Sequence, residues 1–427
     1  MDTFATDRDR LQFLLETEAE FGIAGTGGLR ATGELALARD APAADRPKYV
    51  TNYIGSKQKL VDWIWKNAPP GISSALDAFS GSAVVAYMFK TKGLRVVAND
   101  RLRLCHATAR AIVENNSTKL SPEEMDSLAA ENPKAGTFVR DHFDGIFFEP
   151  GVHAVIDQVR ANAERLDGFK KDIALFALAK TCMSGGFGHF TSTGESGMRK
   201  GGPDEFRTKL RGNAEKINAL VFDNGEKCQA LRQEIGELLP EIKVDLAYFD
   251  PPYATQFSTT NYEKAYHFVE GLMTNWEGLS IKPDSKTRSY ETDHQTVTKG
   301  NSRAFFEGFL SKATHIPNWL ISYRDKAYPN DEEMKSIIAG QGMAAQLETH
   351  DHHYMVGGSR GESSDATEYL FVCKRDGKAA PATDAESRDA ARSKSSPGRW
   401  EETDEAAALL IVCTTTSKPA VASKFPA

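Results

Sequence analysis

The chain has 427 residues, 40% of them hydrophobic and 26% charged, with a formal net charge of −7 at neutral pH. That is the composition of a soluble globular protein with a large core and more than one folded unit. There is no run of about 18 apolar residues, the charged opening MDTFATDRDRLQF lacks the apolar centre of a secretory signal, and the five cysteines (105, 182, 228, 373 and 413) form no CxxC pair, which excludes a membrane span, a disulfide scaffold and a zinc knuckle.

Widely spaced cysteines of this kind fit a reducing, cytoplasmic setting. The negative balance does not exclude a nucleic-acid partner, because phosphates respond to local patches rather than to total charge.

In chain order, residues 1–46 contain one helical pattern, Asp7 to Phe21, then the Gly-rich GIAGTGG and the Ala/Pro-rich ALARDAPAADRP, which read as linker. The Gly cluster at 25–28 has no strand before it and so carries no phosphate-binding expectation. Lys59 to Lys66 has helical spacing, SSALDAF is a short apolar strand, and SAVVAYMFKTKG is a helix closed by Gly93. LRVVAND is a second strand and LCHATARAIVENN the next helix. Strand, helix, strand, helix with short joints predicts βαβ units and a parallel sheet. Residues 115–225 break the rhythm with helical pieces and the Gly-rich SGGFGHFTSTGESGMRKGGPDEF, as an insertion would. Later strands are VDLAYFD, NWLISYRD (318–325) and TEYLFVCKR (367–375). From Asp376 onward the chain is rich in Ala, Ser, Asp and Lys and reads as disordered, with AAALLIVCTTT (406–416) as its one strand-like or helical piece.

Four stretches carry chemistry. In ALDAFSGSAVVAY a strand ends at Asp77 and Gly81 turns the chain into a helix, so that backbone amides can approach a ligand at the carboxyl edge of the sheet. Taken alone, this could equally be an ordinary tight joint. Asp100 closes the next strand 23 residues after Asp77, placed to take both hydroxyls of a ribose; the alternative is a helix N-cap. In YVTNYIGSKQKLVDWIW, Lys57 precedes a helix, where the dipole disfavours a cation, and that misfit assigns it to a ligand carboxylate unless it is simply solvated. In DLAYFDPPY a strand ends in Asp250, Pro251, Pro252 and Tyr253. Two prolines fix successive φ angles and so hold the Asp carboxylate, the Pro251 carbonyl and the Tyr ring in set positions. Two acceptors beside an aromatic face suit a planar heterocycle that bears an amino group.

Together these stretches resemble the Dam-type (alpha-class) N6-adenine-specific DNA methyltransferases, which depend on S-adenosyl-L-methionine. YIGSK is similar to their N-terminal cofactor motif, with Tyr53, Gly55 and Lys57 at its positions. DAFSGSA is similar to their D/E-x-F-x-G-x-G turn, with Asp77, Phe79 and Gly81, and Asp100 matches their ribose-binding acid. DPPY matches the catalytic motif, and ALFALAKTCMSGGFG (174–188) looks like the approach to their recognition loop. The motifs stand in the family's order and cover about residues 48 to 375. Two positions depart from the pattern: Ala83 replaces the last Gly of the turn, tolerable unless φ is positive there, and Glu234 replaces the Asp that contacts the cofactor's adenine ring.

The resemblance implies a Rossmann-like α/β methyltransferase sheet built from residues 47–114 and 226–375, with a largely helical target-recognition insert at 115–225. It implies S-adenosyl-L-methionine as methyl donor and an adenine flipped out of double-stranded DNA as acceptor. Asp250 and the Pro251 carbonyl would take the two amine hydrogens, with no covalent intermediate. No Pro-Cys pair is present to serve ring-carbon cytosine chemistry. Arg199, Lys200, Arg207, Lys209 and Arg211 of the insert are the expected phosphate and base contacts. The cluster THDHHY (349–354) reads as a polar loop, and no metal is expected. A cognate restriction endonuclease is a possible partner. The rivals are an N4-cytosine methyltransferase, since the same clamp fits that amine, and an inactive DNA-binding subunit, whose sign would be a broken clamp.

Overall fold

The computed structural model describes residues 48–375 apart from 186–187, 196, 256–260, 293–295 and 355–363, and the side chains of 351–354 and 364–366 are also left aside. The sequence readings for the first 46 residues and for 376–427 therefore lie outside the described residues.

A seven-stranded sheet organises the chain. Its strands are β1 (Ser74–Asp77), β2 (Arg95–Asn99), β3 (Gln229–Leu231), β4 (Leu246–Phe249), β6 (Asn318–Arg324), β8 (Met343–Tyr354) and β9 (Ser364–Arg375), in the order β3-β2-β1-β4-β6-β9-β8. β5 (Ala254–Thr255) and β7 (Ala327–Tyr328) form a separate two-stranded antiparallel pair. β3, β2, β1, β4 and β6 run parallel; β9 is antiparallel to both β6 and β8. The chain winds outward from β1 through β2 to β3, then crosses back to β4 on the other side of β1. That reversal opens a crevice at the carboxyl ends of β1 and β4, where open α/β sheets bind their ligands. Asp77 closes β1 and Asp250 follows β4, so two of the predicted motifs fall at this point.

Every residue of β1 and β4 is buried, because both faces of the sheet are covered. Alternate residues enter two cores. Ala75, Val96, Leu246, Tyr248, Leu320 and Leu370 face one; Leu76, Val97, Ala247, Phe249, Ile321 and Phe371 face the other. The first face is covered by α1 (Val61–Lys66), α2 (Val84–Thr91), and α3 (Arg103–Ala109), which runs on through a π turn at Arg110–Glu114. Residues 115–225 continue this layer as α4 (Pro122–Ala129), α5 (Phe138–Phe143), α6 (Val152–Ala163), α7 (Gly168–Cys182) and α8 (Pro203–Leu220). Ser121 and Glu124 close a reciprocal capping box at the start of α4. α9 (Ile235–Leu238), α11 (Ser302–Leu310) and α12 (Asp331–Gly340) cover the second face.

α10 (Tyr262–Thr274) follows the DPPY turn and locks the insert to the catalytic half. Its Phe268 meets Phe143 and Phe190 of the insert at 4.9 Å between ring centroids, and Trp276 meets Phe143 at 5.1 Å. Arg160 of α6 donates to the carbonyls of Leu272 (2.5 Å) and Met273 (3.3 Å), satisfying groups that α10 leaves free at its C-terminus. The insert thus shares one continuous apolar core with the sheet.

One sequence reading is corrected here. THDHHY is not a loop but the end of β8, with Thr349 opposite Tyr369 and Tyr354 opposite Ser364. β8 is an edge strand with a polar outer face, so composition alone makes it look like loop.

Candidate active site

A cavity of about 1190 Å³ opens at the crevice. Its floor is the turn after β1. Gly81 has φ +49 there, and a Cβ on it would sit 3.1 Å from Cε1 of Tyr53, so only glycine leaves that ring in place. Ala83 also adopts the left-handed region, at φ +60, just before α2, so the Gly-to-Ala departure falls where it strains the backbone.

Asp100 sits across from this turn. Its Oδ2 accepts from the Gly81 amide at 2.8 Å and its Oδ1 from the Leu102 amide at 2.9 Å. Burial raises its carboxyl, and those two amides oppose the rise. Each oxygen keeps lone-pair capacity for a hydroxyl. Asp77, 1% exposed, accepts from the Ala86 amide through Oδ2, while its Oδ1 and the Ser80 hydroxyl have no partner among the described residues. Burial pushes the Asp77 carboxyl well up, against the Ala86 amide. Both orphaned atoms belong to residues that line the cavity, as do Phe79 and Glu234. Glu234 is half exposed and paired with Arg101 at 2.5 Å.

Tyr53 is stacked between two residues of α10, with ring centroids 5.9 Å from Tyr262 and 4.6 Å from Tyr266. Gly55 turns at φ +73 beneath the Tyr262 hydroxyl. The turn delivers Lys57, 3% exposed, to Asp250: Nζ lies 3.0 Å from Oδ1 and 3.3 Å from the Gly55 carbonyl. Lys57 therefore meets a carboxylate of the protein itself, not only one of a ligand. Burial alone would lower its ammonium, yet Asp250, with Tyr253 and Glu368, raises it well above the ordinary value. Burial raises Asp250 in turn, and Lys57 restrains the rise.

Asp250 and Pro252 line the cavity; Pro251 and Tyr253 are not among its described lining residues. The Tyr253 ring instead packs edge-on against Tyr323, centroids 5.3 Å apart.

Two groups escaped sequence reasoning. Glu270 of α10, 2% exposed, accepts from the amides of Arg103 (2.7 Å) and Leu104 (3.0 Å), capping α3 beside the cavity. Glu368 of β9 is fully buried near Lys57 and Asp250. Neither carries a local signal, because each partner is more than a hundred residues away in sequence or, for Glu368, absent among the described side chains.

The expected DNA contacts divide. Arg199 is corrected: at 4% exposure, it lies 4.0 Å over the Phe190 ring and donates to the His189 carbonyl at 2.9 Å, inside the core. Phe147 and Phe148 complete the cage, and burial lowers the guanidinium to about 10. Arg207 is tied to the Ala129 carbonyl and to Gln158 Oε1. Lys209 pairs with Glu205 at 2.6 Å, and Arg211 with Asp126 and Glu215, all at the surface. Lys200 is exposed.

A methyl donor with a ribose, a charged amino acid moiety and a flat base fits this cavity, given Asp100, the orphaned Asp77 and Ser80 atoms, and the cradle kept open by Gly81. Residues 53–320 match the family described as D12 class N6 adenine-specific DNA methyltransferase. The chain belongs to that family, and with it come adenine N6 in DNA as methyl acceptor and S-adenosyl-L-methionine as donor. It is 28% identical over 346 residues to the type II methyltransferase M2.HphI of Haemophilus parahaemolyticus, covering 77% of this chain and 98% of that one. It is 21% identical over 346 residues to M.NlaIII of Neisseria lactamica, with 76% and 99% covered. With M.FokI of Planomicrobium okeanokoites it shares 23% over 365 residues, covering 76% of this chain and about half (52%) of the other. Among the described residues no helix is long and apolar enough to cross a membrane.

Proposed function

We propose that this enzyme methylates adenine within one specific double-stranded sequence, as the modification half of a type II restriction–modification pair in the cytoplasm. The observation that carries the residue assignment is the buried Lys57–Asp250 pair at the β1/β4 crevice, in one cavity with Asp100. The names of the relatives, all type II or modification methylases, support a cognate endonuclease.

Adenine's amino nitrogen is a poor nucleophile because its lone pair is delocalised into the ring. Asp250 and the Pro251 carbonyl accept its two hydrogens, favour a pyramidal nitrogen and free the lone pair. The donor supplies an electrophilic methyl on a sulfonium. As the N–C bond forms, the C–S bond breaks with its electron pair going to sulfur, and one proton leaves the nitrogen. Positioning and electrostatics account for the acceleration. Lys57 keeps Asp250 ionised despite burial, and Asp100 holds the donor's ribose. The amine is out of reach inside a duplex, so the base is flipped into the crevice. Of the expected DNA contacts, exposed Lys200, with Lys209 and Arg211 after exchange of surface partners, neutralises phosphates; Arg199 holds the recognition segment in shape.

The test is to incubate the protein with unmethylated genomic DNA and S-adenosyl-L-methionine, then quantify nucleosides by mass spectrometry. N6-methyladenine is expected, and it should disappear with Asp250→Ala while the protein stays folded. Near-normal turnover by that variant would remove the assignment.

A further inference from the structure

Glu368 differs from every other carboxylate near the cavity. It is 0% exposed, and neither Oε1 nor Oε2 has a hydrogen-bond partner among the described residues. Register places it between Arg324 of β6 and His350 of β8, at the sheet edge where β4 delivers Asp250. Alternation along β9 puts it on the face of Leu370, the face on which Tyr248 donates to Ser322 at 2.8 Å. Its charge is felt by Lys57 and Asp250, and by Arg324 and Asp325 at the end of β6. Tyr253, also within its field, stays neutral because burial raises it. A buried carboxylate with no partner is a costly arrangement, and here it stands beside the pair assigned to the chemistry.

Charge accounting over one turnover gives it a use. With donor bound, the crevice holds a positive sulfonium, the Lys57 ammonium, the Asp250 carboxylate and, if ionised, the Glu368 carboxylate, which sum to zero. When the methyl moves, the donor loses its positive charge and the amine releases a proton. If that proton stays on Asp250, the acceptor of the amine is lost. If it passes to Glu368, the sum is again zero and the Lys57–Asp250 pair is intact.

We propose that Glu368 is the resting place of the proton released by the target amine, ionised while the sulfonium is bound and protonated once the thioether product remains. Lys57 is the relay: its ammonium gives one proton to Glu368 and recovers one from Asp250. Burial raises the free Glu368 carboxyl to about 7, opposed by Lys57 and reinforced by Asp250, so at neutral pH it is poised between its two forms.

The inference rests on Asp250 acting at the target amine, and it is tested without turnover, so the two can fail separately. Isothermal titration of the full-length protein at pH 7, in two buffers of different ionisation enthalpy, gives the protons released on binding S-adenosyl-L-methionine and, separately, S-adenosylhomocysteine. The sulfonium ligand is expected to release roughly half a proton more than the thioether. That difference should peak near pH 7, vanish in Glu368→Gln and persist in Glu368→Asp, while Glu368→Gln still binds S-adenosylhomocysteine. A difference that survives in Glu368→Gln overturns the proposal. Should that variant fail to fold, a wild-type difference that is absent or flat between pH 6 and 8 overturns it equally.

Discussion

Replacing Glu368 by Gln removes the ionisable group from a site that offers it no hydrogen bond, and the effect on stability can be worked out for the free protein. The folded carboxyl titrates at about 7, against an ordinary glutamate value near 4.3 in the unfolded chain. The folded state therefore holds this proton more tightly than the unfolded one. Its contribution to stability is intact below about pH 4.3 and is lost progressively as pH rises through 7. The difference between the two values corresponds to roughly 3 to 4 kcal/mol at full ionisation, taken as a ceiling. Glutamine carries no charge to bury. Urea unfolding of both proteins at pH 5 and pH 8.5 should show near-equal stability at the lower pH and a variant more stable by roughly 2 to 3 kcal/mol at the higher. A difference independent of pH, or a variant less stable at pH 8.5, would show that Glu368 has an unseen partner and would refute the reasoning.

Asp100→Asn keeps one acceptor for the Gly81 or Leu102 amide but loses the charge that serves two hydroxyls. Cofactor affinity should fall by about 10- to 100-fold, a charged hydrogen bond being worth roughly 1.5 to 3 kcal/mol, while DNA affinity stays within about twofold. Calorimetry with S-adenosylhomocysteine and anisotropy with duplex DNA separate the two, and equal losses would remove the ribose role. Arg199→Ala should lower stability by about 2 to 3 kcal/mol and leave the salt dependence of DNA binding unchanged, whereas Lys200→Ala should leave stability within about 0.5 kcal/mol and reduce the salt slope by about 0.9. The opposite pattern would return Arg199 to the DNA face. Ala83→Gly exchanges roughly 1 to 2 kcal/mol of left-handed strain for a buried methyl worth about 0.8, and should be close to neutral or mildly stabilising by thermal denaturation. Ala86→Gly inside α2 has no strain to relieve and should cost about 1 to 2 kcal/mol.

The parts of the site that were legible in the sequence are the local ones. β1, β2 and β4 are apolar because both faces are buried, and each ends in its functional acid or immediately before it, so Asp77, Asp100 and Asp250 could be placed by chain order alone. The order of the motifs also fixed the side of the sheet on which they meet. β3 escaped because three residues carry no period, and the far end of β8 because its outer face is solvated. Lys57 was singled out correctly as a misplaced cation, but its partner, Asp250, comes from the far half of the chain. Arg199 was misread for the same reason: among glycines it looks solvated, and the rings of Phe147 and Phe148 that enclose it lie some fifty residues upstream. Glu368 sits in an apolar strand, where only the absence of a partner distinguishes it.

The aromatic seam between the insert and α10 bears on how target specificity could be exchanged among relatives. A chimaera joined at residues 115 and 225 would remove Phe143, Phe147, Phe148 and Phe190 along with Arg160, leaving Phe268 and Trp276 bare and the last carbonyls of α10 uncapped. The recognition segment is therefore not a transferable cassette with a free boundary. A graft that respects the seam keeps α4 to α8 and replaces only the stretch between α7 and α8, residues 183–202, with Arg199 and Phe190 retained as its moorings.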